Sequence, residues 1–120
     1  DVPVLGICLG MQFIAAELGG DVGSGEYGGY ADVTVDITDE ADPLVGSLAP
    51  ETRVWASHAD EVKTLPEGFV RTAMSDVCGT EAMSDTDRDL YGVQWHPEVA
   101  HTEEGEAVFE NFIEICERNG

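Results

Sequence analysis

The chain has 120 residues, of which 25 are acidic and 5 are basic, so its formal net charge at pH 7 is −20. This length allows one domain with one hydrophobic core. Binding a nucleic-acid backbone needs clustered Lys and Arg, whereas the five basic residues are scattered along the chain. No apolar run approaches the roughly 18 residues of a membrane-spanning helix, and the first residues lack a basic-then-apolar targeting pattern. We therefore expect neither nucleic acid nor a membrane among its partners.

The acidic residues are spread over the whole chain and indicate a solvated acidic surface. Such a surface repels itself at low ionic strength and is screened by concentrated salt, where the Debye length falls to about 3 Å at 1 M. A near absence of Lys beside so many carboxylates is typical of proteins from salt-loving organisms. Three widely spaced cysteines, Cys8, Cys78 and Cys116, match neither a disulfide framework nor paired zinc ligands. We expect a reduced, cytoplasmic compartment, no metal site, and Cys78 and Cys116 as small buried apolar residues.

The first twenty residues predict a strand, an abrupt turn and a helix. Residues 2–7 form the continuous apolar run of a buried strand. A helix is predicted from Gly10, and Gly19 and Gly20 end it. Its apolar residues recur at helical spacing and are Met11, Ile14, Ala15 and Leu18. Such a start belongs in an α/β fold with an open, mostly parallel sheet and flanking helices. Because a buried strand needs neighbours, we expect further strands upstream of residue 1.

The rest of the chain predicts a loop, several short strands and a closing helix. Residues 23–30 hold four glycines and predict the loop, and residues 39–49 are rich in turn formers. The predicted strands are residues 31–38, 52–57, 68–74, 80–83 and 90–95. Residues 103–118 predict an amphipathic helix capped by Thr102. Its expected apolar stripe consists of Val108, Phe109, Phe112, Ile113 and Cys116.

Residues 6–10 read Gly-Ile-Cys-Leu-Gly, the spacing of a nucleophile elbow with Cys8 as the nucleophile. A tight strand-to-helix turn strains the backbone, and glycines two residues to either side avoid collisions there. We expect the sulfur at the positive end of the following helix, whose dipole favours the thiolate. The backbone N–H of Leu9 would point to the space where an oxyanion forms. A glycine-rich turn with an incidental cysteine is the alternative.

Residues 91–98 read Tyr-Gly-Val-Gln-Trp-His-Pro-Glu and predict a strand that delivers a histidine to its end. Pro97 keeps the chain extended, so His96 and Glu98, two residues apart, project to the same side. Such a pair suits a base and the carboxylate that orients it. Together with Cys8 the pair predicts a Cys–His–Glu triad. A histidine with a purely structural role is the alternative.

Residues 6–12 and 92–98 resemble the two signature motifs of class I (triad) glutamine amidotransferase domains. Within that family, residues 55–62, 65–69 and 96–102 resemble the glutaminase part of GMP synthase, and more narrowly the separate glutaminase chain that archaea use. The resemblance implies a flavodoxin-like fold and the hydrolysis of glutamine to glutamate and ammonia. It implies that the ammonia passes to a synthetase partner, an ATP pyrophosphatase chain that uses ATP and Mg²⁺ to aminate XMP to GMP. No cofactor is implied for this chain.

The resemblance assigns a role to each matching position. Cys8 would attack the glutamine side chain, His96 would protonate the leaving nitrogen and activate water, and Glu98 would orient His96. The residues implied to bind the substrate are Leu9 (through its N–H), Gln12, Ala59 and Asp60. Asp60 also lies where this branch is expected to sense its synthetase partner.

Two positions depart from the family pattern, since Met11 is often His and Trp95 replaces a common Phe. The family's upstream half, which supplies the first strands and a glycine-rich loop with a second oxyanion donor, has no counterpart before Asp1. We therefore expect residues 1–120 to be a partial amidotransferase domain. Losing one oxyanion donor costs roughly 10²–10³ in rate, so we expect the isolated 120 residues to be inactive.

Three other functions remain open at the level of sequence. An amidotransferase of another pathway, such as carbamoyl-phosphate, anthranilate or CTP synthesis, would share both motifs. A cysteine peptidase or γ-glutamyl hydrolase would share the elbow around Cys8. An acidic interaction module with a vestigial triad would keep the residues without the chemistry.

Overall fold

A computed structural model describes residues 2–24, 30–48, 50–57, 60–98 and 104–119. The strands in these residues are β1 (Val4–Ile7), β2 (Asp21–Ser24), β3 (Tyr30–Ile37), β4 (Glu51–Ser57), β5 (Asp60–Thr64), β6 (Val70–Met74), β7 (Ala82–Asp85) and β8 (Leu90–Val93). The helices are α1 (Leu9–Glu17) and α2 (Gly105–Asn119). The predicted strand–turn–helix start is therefore confirmed, as is the closing helix.

Six strands form one sheet in the order β1-β8-β7-β6-β3-β4, and β2 pairs with β5 in a separate antiparallel ribbon. β1 and β8 are parallel, with Ile7 opposite Val93. The other neighbouring pairs that the structure describes in this sheet are antiparallel. The α/β class with flanking helices is confirmed, but the sheet needs correction from mostly parallel to mixed. The connections 75–81 and 86–89 are too short for the crossover of a dozen or more residues that parallel neighbours require.

The two helices lie on opposite faces of the six-stranded sheet. Successive strand side chains point to opposite faces, and in β8 Tyr91 and Val93 join one core cluster while Leu90 packs against the other. α2 contributes Val108 and Ile115 to the first cluster. The second cluster contains the buried α1 residues Met11 and Ala15, the β5 residue Val62, Phe69 and the β7 residue Met83. The six-stranded sheet thus lies between two packed layers, one formed with α1 and the other with α2.

Two strands and part of the α2 stripe differ from the sequence prediction. β2 begins at Asp21 and ends at Ser24, inside the segment expected to be a loop from residue 23, and β5 was not predicted. In α2, Ile113 is 56% exposed and Ile115 is fully buried, so the apolar stripe runs through Val108, Phe112 and Ile115. The correct stripe has spacings of four and three residues, which follow the 3.6-residue helical period. The proposed cap Thr102 lies outside the described residues.

The three cysteines are free thiols in different environments. Cys78 is 2% exposed, which confirms that it is a core residue, whereas Cys116 is only partly buried. Cys8 is also partly buried, at the junction of β1 and α1. In the part of the chain that the structure describes, no helix is both long and apolar enough to cross a membrane.

Candidate active site

Cys8 occupies the sharp turn between β1 and α1. Its backbone φ of 54° and ψ of −104° lie in a region that non-glycine residues rarely adopt. The turn is fixed from both sides, because the Cys8 N–H donates to the Val93 carbonyl at 2.8 Å and the Gln12 N–H donates to the Cys8 carbonyl at 3.1 Å. Strained backbone of this kind persists where the surrounding structure imposes it, and it is common at functional sites. The geometry is that of the elbow predicted from the sequence.

Gly6 and Gly92 are paired in the register of β1 and β8, and both face α1. A Cβ at Gly6 would lie 2.6 Å from the Gly10 carbonyl carbon and 2.7 Å from the Met11 nitrogen. A Cβ at Gly92 would lie 2.7 Å from Met11 Cγ. The two glycines therefore let the first turn of α1 lie directly on the sheet. The expectation that both glycines of the elbow avoid a collision is wrong for Gly10, because a Cβ there would meet no atom of the described residues within 4 Å. Of these two glycines, only Gly6 avoids a collision.

His96 and Glu98 follow β8 and contact each other. His96 Nδ1 lies 2.9 Å from Glu98 Oε2. Because a carboxylate only accepts hydrogen bonds, Nδ1 carries the hydrogen in this pair, and the neutral ring then has Nε2 as its proton acceptor. The His96 side chain is 20% exposed and that of Glu98 is 51% exposed. The expected orientation of the two side chains to one side is confirmed.

The structure brings these two residues to the same sheet edge as Cys8. In the parallel register Ile7 lies opposite Val93, so the next residues on each strand, Cys8 and Gln94, are also neighbours. Gln94 Nε2 lies 3.7 Å from the Cys8 sulfur. Glu98 is close enough for its charge to act on the Cys8 thiol. The carboxyl ends of β1 and β8 therefore present the nucleophile candidate and the His–Glu pair together.

The pKa of the Cys8 thiol is raised above its ordinary value, which corrects the expectation from the helix dipole alone. Burial is the main cause because it disfavours the charged thiolate. The N–H of Leu9, directed at the sulfur, lowers the pKa, and the negative charge of Glu98 raises it. A resting thiol in this site is therefore mainly protonated at neutral pH, and its activation requires a base.

The candidate substrate-binding residues lie beside this edge, but Gln12 is engaged within the protein. Gln12 is 7% exposed, and its Nε2 donates to the Asp60 carbonyl at 2.9 Å and to Gln94 Oε1 at 3.2 Å. Asp60 opens β5 with an exposed side chain. Leu9 exposes 74% of its surface, and its N–H is directed at the Cys8 sulfur. Ala59 lies outside the described residues.

Three residues that the sequence analysis did not single out also position the site. Gly105 begins α2, and a Cβ there would collide with the Pro97 carbonyl oxygen, so the helix begins directly against the His–Pro–Glu segment. Glu104, just before that helix, accepts a hydrogen bond from the Thr52 hydroxyl at 3.1 Å. The N–H of His96 donates to the Trp55 carbonyl at 2.9 Å. Of these three features, only the glycine could have been found in the sequence, because the other two are contacts between residues about forty or more positions apart.

A cysteine on a strand–helix elbow, beside a histidine that is oriented by a carboxylate, is the arrangement of α/β enzymes that transfer acyl groups through a cysteine. A family model described as glutamine amidotransferase class-I matches residues 1–116. The chain therefore belongs to the class I glutamine amidotransferase family, as its motifs predicted.

Two proteins with high sequence identity to this chain belong to one branch of the family. It is 80% identical over 116 residues to a protein of Natronomonas pharaonis and 79% identical over 118 residues to one of Haloarcula marismortui, both named as one subunit of glutamine-hydrolyzing GMP synthase. These matches cover 97% and 98% of this chain but only 63% and 62% of the relatives, so the chain spans less than two thirds of their length. Both relatives come from halophilic archaea, in agreement with the composition.

Two solved structures have the same fold. A crystal structure from Thermoplasma acidophilum matches with a TM-score of 0.92 and 37% identity, covering 98% of this chain and 58% of that one. A glutamine amidotransferase from Thermotoga maritima matches with a TM-score of 0.71 and 26% identity, covering 98% of this chain and 47% of that one.

Proposed function

We propose that the protein hydrolyses glutamine to glutamate and ammonia and supplies the ammonia for the amination of XMP to GMP. The observation that carries the proposal is the Cys8 elbow, at φ 54°, on the strand adjacent to the one that delivers the His96–Glu98 pair. Family membership supports glutamine as the substrate. The names of the 80% and 79% identical relatives support the GMP branch.

In the first half of the reaction, the Cys8 sulfur attacks the carboxamide carbon of glutamine. His96 accepts the thiol proton at Nε2, which the raised pKa of Cys8 makes necessary. A C–S bond forms, and the amide oxygen becomes an oxyanion that the Leu9 N–H stabilises. The imidazolium then gives its proton to the nitrogen, the C–N bond breaks, and ammonia leaves behind a γ-glutamyl thioester.

In the second half, water replaces ammonia. The water oxygen attacks the thioester carbon while His96 takes one proton from the water. The C–S bond then breaks, the imidazolium returns that proton to the sulfur, and glutamate leaves. Glu98 holds Nδ1–H throughout, keeps the ring in one tautomer and stabilises its positive form. Glu98 therefore promotes the reaction by orienting His96 and stabilising the imidazolium, even though its charge raises the pKa of the Cys8 thiol.

The α-amino and α-carboxylate groups of glutamine bind next to this edge, against the backbone around Ala59 and Asp60. Gln12 acts there indirectly in the structure described, because its Nε2 holds the Asp60 carbonyl.

The synthetase partner is an ATP pyrophosphatase chain that binds ATP, Mg²⁺ and XMP, and it approaches the exposed Asp60 side chain. This chain itself carries no cofactor, and the reaction takes place in the cytoplasm. Residues 1–120 form part of the complete amidotransferase domain.

Glutamine-dependent ammonia release by the full-length protein, with and without its synthetase partner, tests the proposal. We expect Cys8→Ala to abolish release and Cys116→Ala, the matched control in α2, to retain it. A glutamine analogue that alkylates nucleophilic cysteines, 6-diazo-5-oxo-L-norleucine, should label Cys8 and spare Cys78 and Cys116 in peptide mass spectra. Labelling of all three alike, or of none, would favour an interaction module. Cleavage of peptides in place of glutamine would favour a peptidase.

A further inference from the structure

Gln94 is a completely buried polar residue next to the nucleophile. It follows β8 directly and is 0% exposed. Its N–H donates to the Glu81 carbonyl at 2.7 Å, which extends the β7–β8 pairing by one residue and fixes the backbone at this position. The side chain lies on the α1 side of the sheet, where it contacts both Gln12 and the Cys8 sulfur. A buried carboxamide is costly unless its hydrogen bonds are made, so its contacts define its orientation.

The hydrogen-bond chain fixes which end of the Gln94 carboxamide faces the sulfur. The Asp60 carbonyl can only accept, so the Gln12 atom 2.9 Å from it is the NH₂ group. The same NH₂ group lies 3.2 Å from Gln94, so the Gln94 atom that faces it is the oxygen. The Gln94 NH₂ group is therefore the end directed at Cys8, 3.7 Å from the sulfur. The direction of every donor in the chain follows from one backbone carbonyl in β5.

We propose that Gln94 is a further catalytic residue, whose NH₂ group donates to the Cys8 sulfur in an orientation held by Gln12 and the Asp60 carbonyl. The inference rests on the proposed function for its role in turnover, although its effect on the thiol can be measured without turnover. A donor directed at the sulfur stabilises the thiolate more than the thiol. The charged and polar groups that act on the thiol are Glu98, which opposes the thiolate, and the Leu9 N–H, which favours it. The His96 imidazole is the hydrogen-bond partner of Glu98. Gln94 adds a second donor from β8 to that of Leu9 from α1.

The pH dependence of Cys8 alkylation by iodoacetamide in the full-length protein tests this contact directly. We expect Gln94→Met, which keeps the side-chain length and removes the donor, to raise the midpoint of Cys8 alkylation by about one pH unit, a tenfold loss of thiolate at neutral pH. Gln94→Glu, which replaces the donor by an acceptor oxygen, should raise it further. Peptides containing Cys78 and Cys116 serve as internal references in the same mass spectra.

Asn111→Leu is the matched control, because Asn111 is a second carboxamide that donates two hydrogen bonds inside the fold but far from the nucleophile. Its Nδ2 donates to the Leu44 carbonyl at 2.8 Å and to the Ser47 hydroxyl at 3.0 Å. We expect this variant to lose stability without moving the Cys8 midpoint. A midpoint that moves equally in Asn111→Leu would overturn the inference, since the shift would then report general loosening.

Turnover separates this inference from the proposed function. We expect Gln94→Met to lower kcat for glutamine about tenfold with little change in KM, because the donor acts on the nucleophile and not on the substrate. An unchanged Cys8 midpoint in a folded Gln94→Met or Gln94→Glu protein would overturn the role of Gln94, even if the parent protein hydrolyses glutamine. A shifted midpoint in a parent protein that does not hydrolyse glutamine would refute the function and leave the contact standing.

Discussion

Replacing Gly6 by alanine tests whether the nucleophile depends on direct contact between α1 and the sheet. The added Cβ would lie 2.6 Å from the Gly10 carbonyl carbon, 2.7 Å from the Gly10 oxygen and 2.7 Å from the Met11 nitrogen. Carbon atoms pack favourably at about 3.5–4.0 Å, so the first turn of α1 must move by roughly 1 Å. These three atoms belong to the backbone, so no side-chain rotation can relieve the collision.

We expect Gly6→Ala to lose about 1–3 kcal/mol of unfolding free energy, the usual cost of overpacking a filled site. A displacement of about 1 Å at a reacting group can cost 10²-fold in rate, and Cys8 is the residue just before the displaced turn. Urea unfolding and kcat/KM for glutamine, both measured on the full-length protein, give the two numbers. Gly92→Ala should be milder, because its closest contact is the flexible Met11 side chain at 2.7 Å.

Gly79→Ala is the control for the loss of a glycine as such. An added Cβ at Gly79 would meet no atom of the described residues within 4 Å, and we expect a stability change within about 0.5 kcal/mol. A Gly6→Ala protein with the parent's stability and a kcat/KM within threefold of the parent's would refute the reasoning. So would equal damage from Gly79→Ala.

Three further predictions concern stability. Burial raises the pKa of the Cys78 thiol, so the folded state keeps a proton that the unfolded state loses at alkaline pH. The unfolding free energy should therefore fall by about 1.4 kcal/mol for each pH unit above the ordinary pKa of a thiol. In urea titrations at several pH values, Cys78→Ala should remove this contribution. Burial also raises the pKa of the Asp42 carboxyl, whose Oδ2 accepts from the N–H groups of Leu44 and Val45. We expect Asp42→Asn to keep the pH 7 thermal midpoint or raise it, and Asp42→Ala to lower stability by about 1–2 kcal/mol. With a net charge of −20, the protein should gain stability steadily from low salt to multimolar KCl, measured by circular dichroism.

Each of these predictions has a result that would contradict it. A Cys78→Ala protein with an unaltered alkaline slope would assign the loss of stability to other groups. Destabilisation by Asp42→Asn as large as by Asp42→Ala would mean that the charge of Asp42, and not its role as an acceptor, stabilises the turn. A melting temperature that is flat between low and high KCl would exclude self-repulsion of the acidic surface as a determinant of stability.

Local patterns were enough to predict the elbow and the His–Glu pair. The Gly-Ile-Cys-Leu-Gly spacing defines a turn within five residues, and two residues in an extended chain share a side whatever surrounds them. The site could be assembled further because a parallel pair brings the carboxyl ends of its strands to one edge. Residue roles within the triad remain predictions, because geometry alone does not measure chemistry.

Features that depend on distant contacts were not predictable. β2 and β5 have four and five residues, include glycine and charged side chains, and become strands only by pairing with each other. The direction of the Cys8 pKa shift depends on burial and on Glu98, ninety positions away, which outweigh the local influence of the helix end. The environment of Gln94 is likewise set by α1 and β5. The residues that contact each of them are distant in the sequence, so the pattern of the neighbouring residues does not predict these contacts.

The hydrogen bond from the His96 N–H to the Trp55 carbonyl ties the segment after β8 to β4, the strand at the far edge of the sheet. The position of the imidazole therefore depends on an edge strand that contributes no residue to the triad. A substitution that displaces β4 at Trp55 would withdraw the base from the thiol without altering any of the three residues.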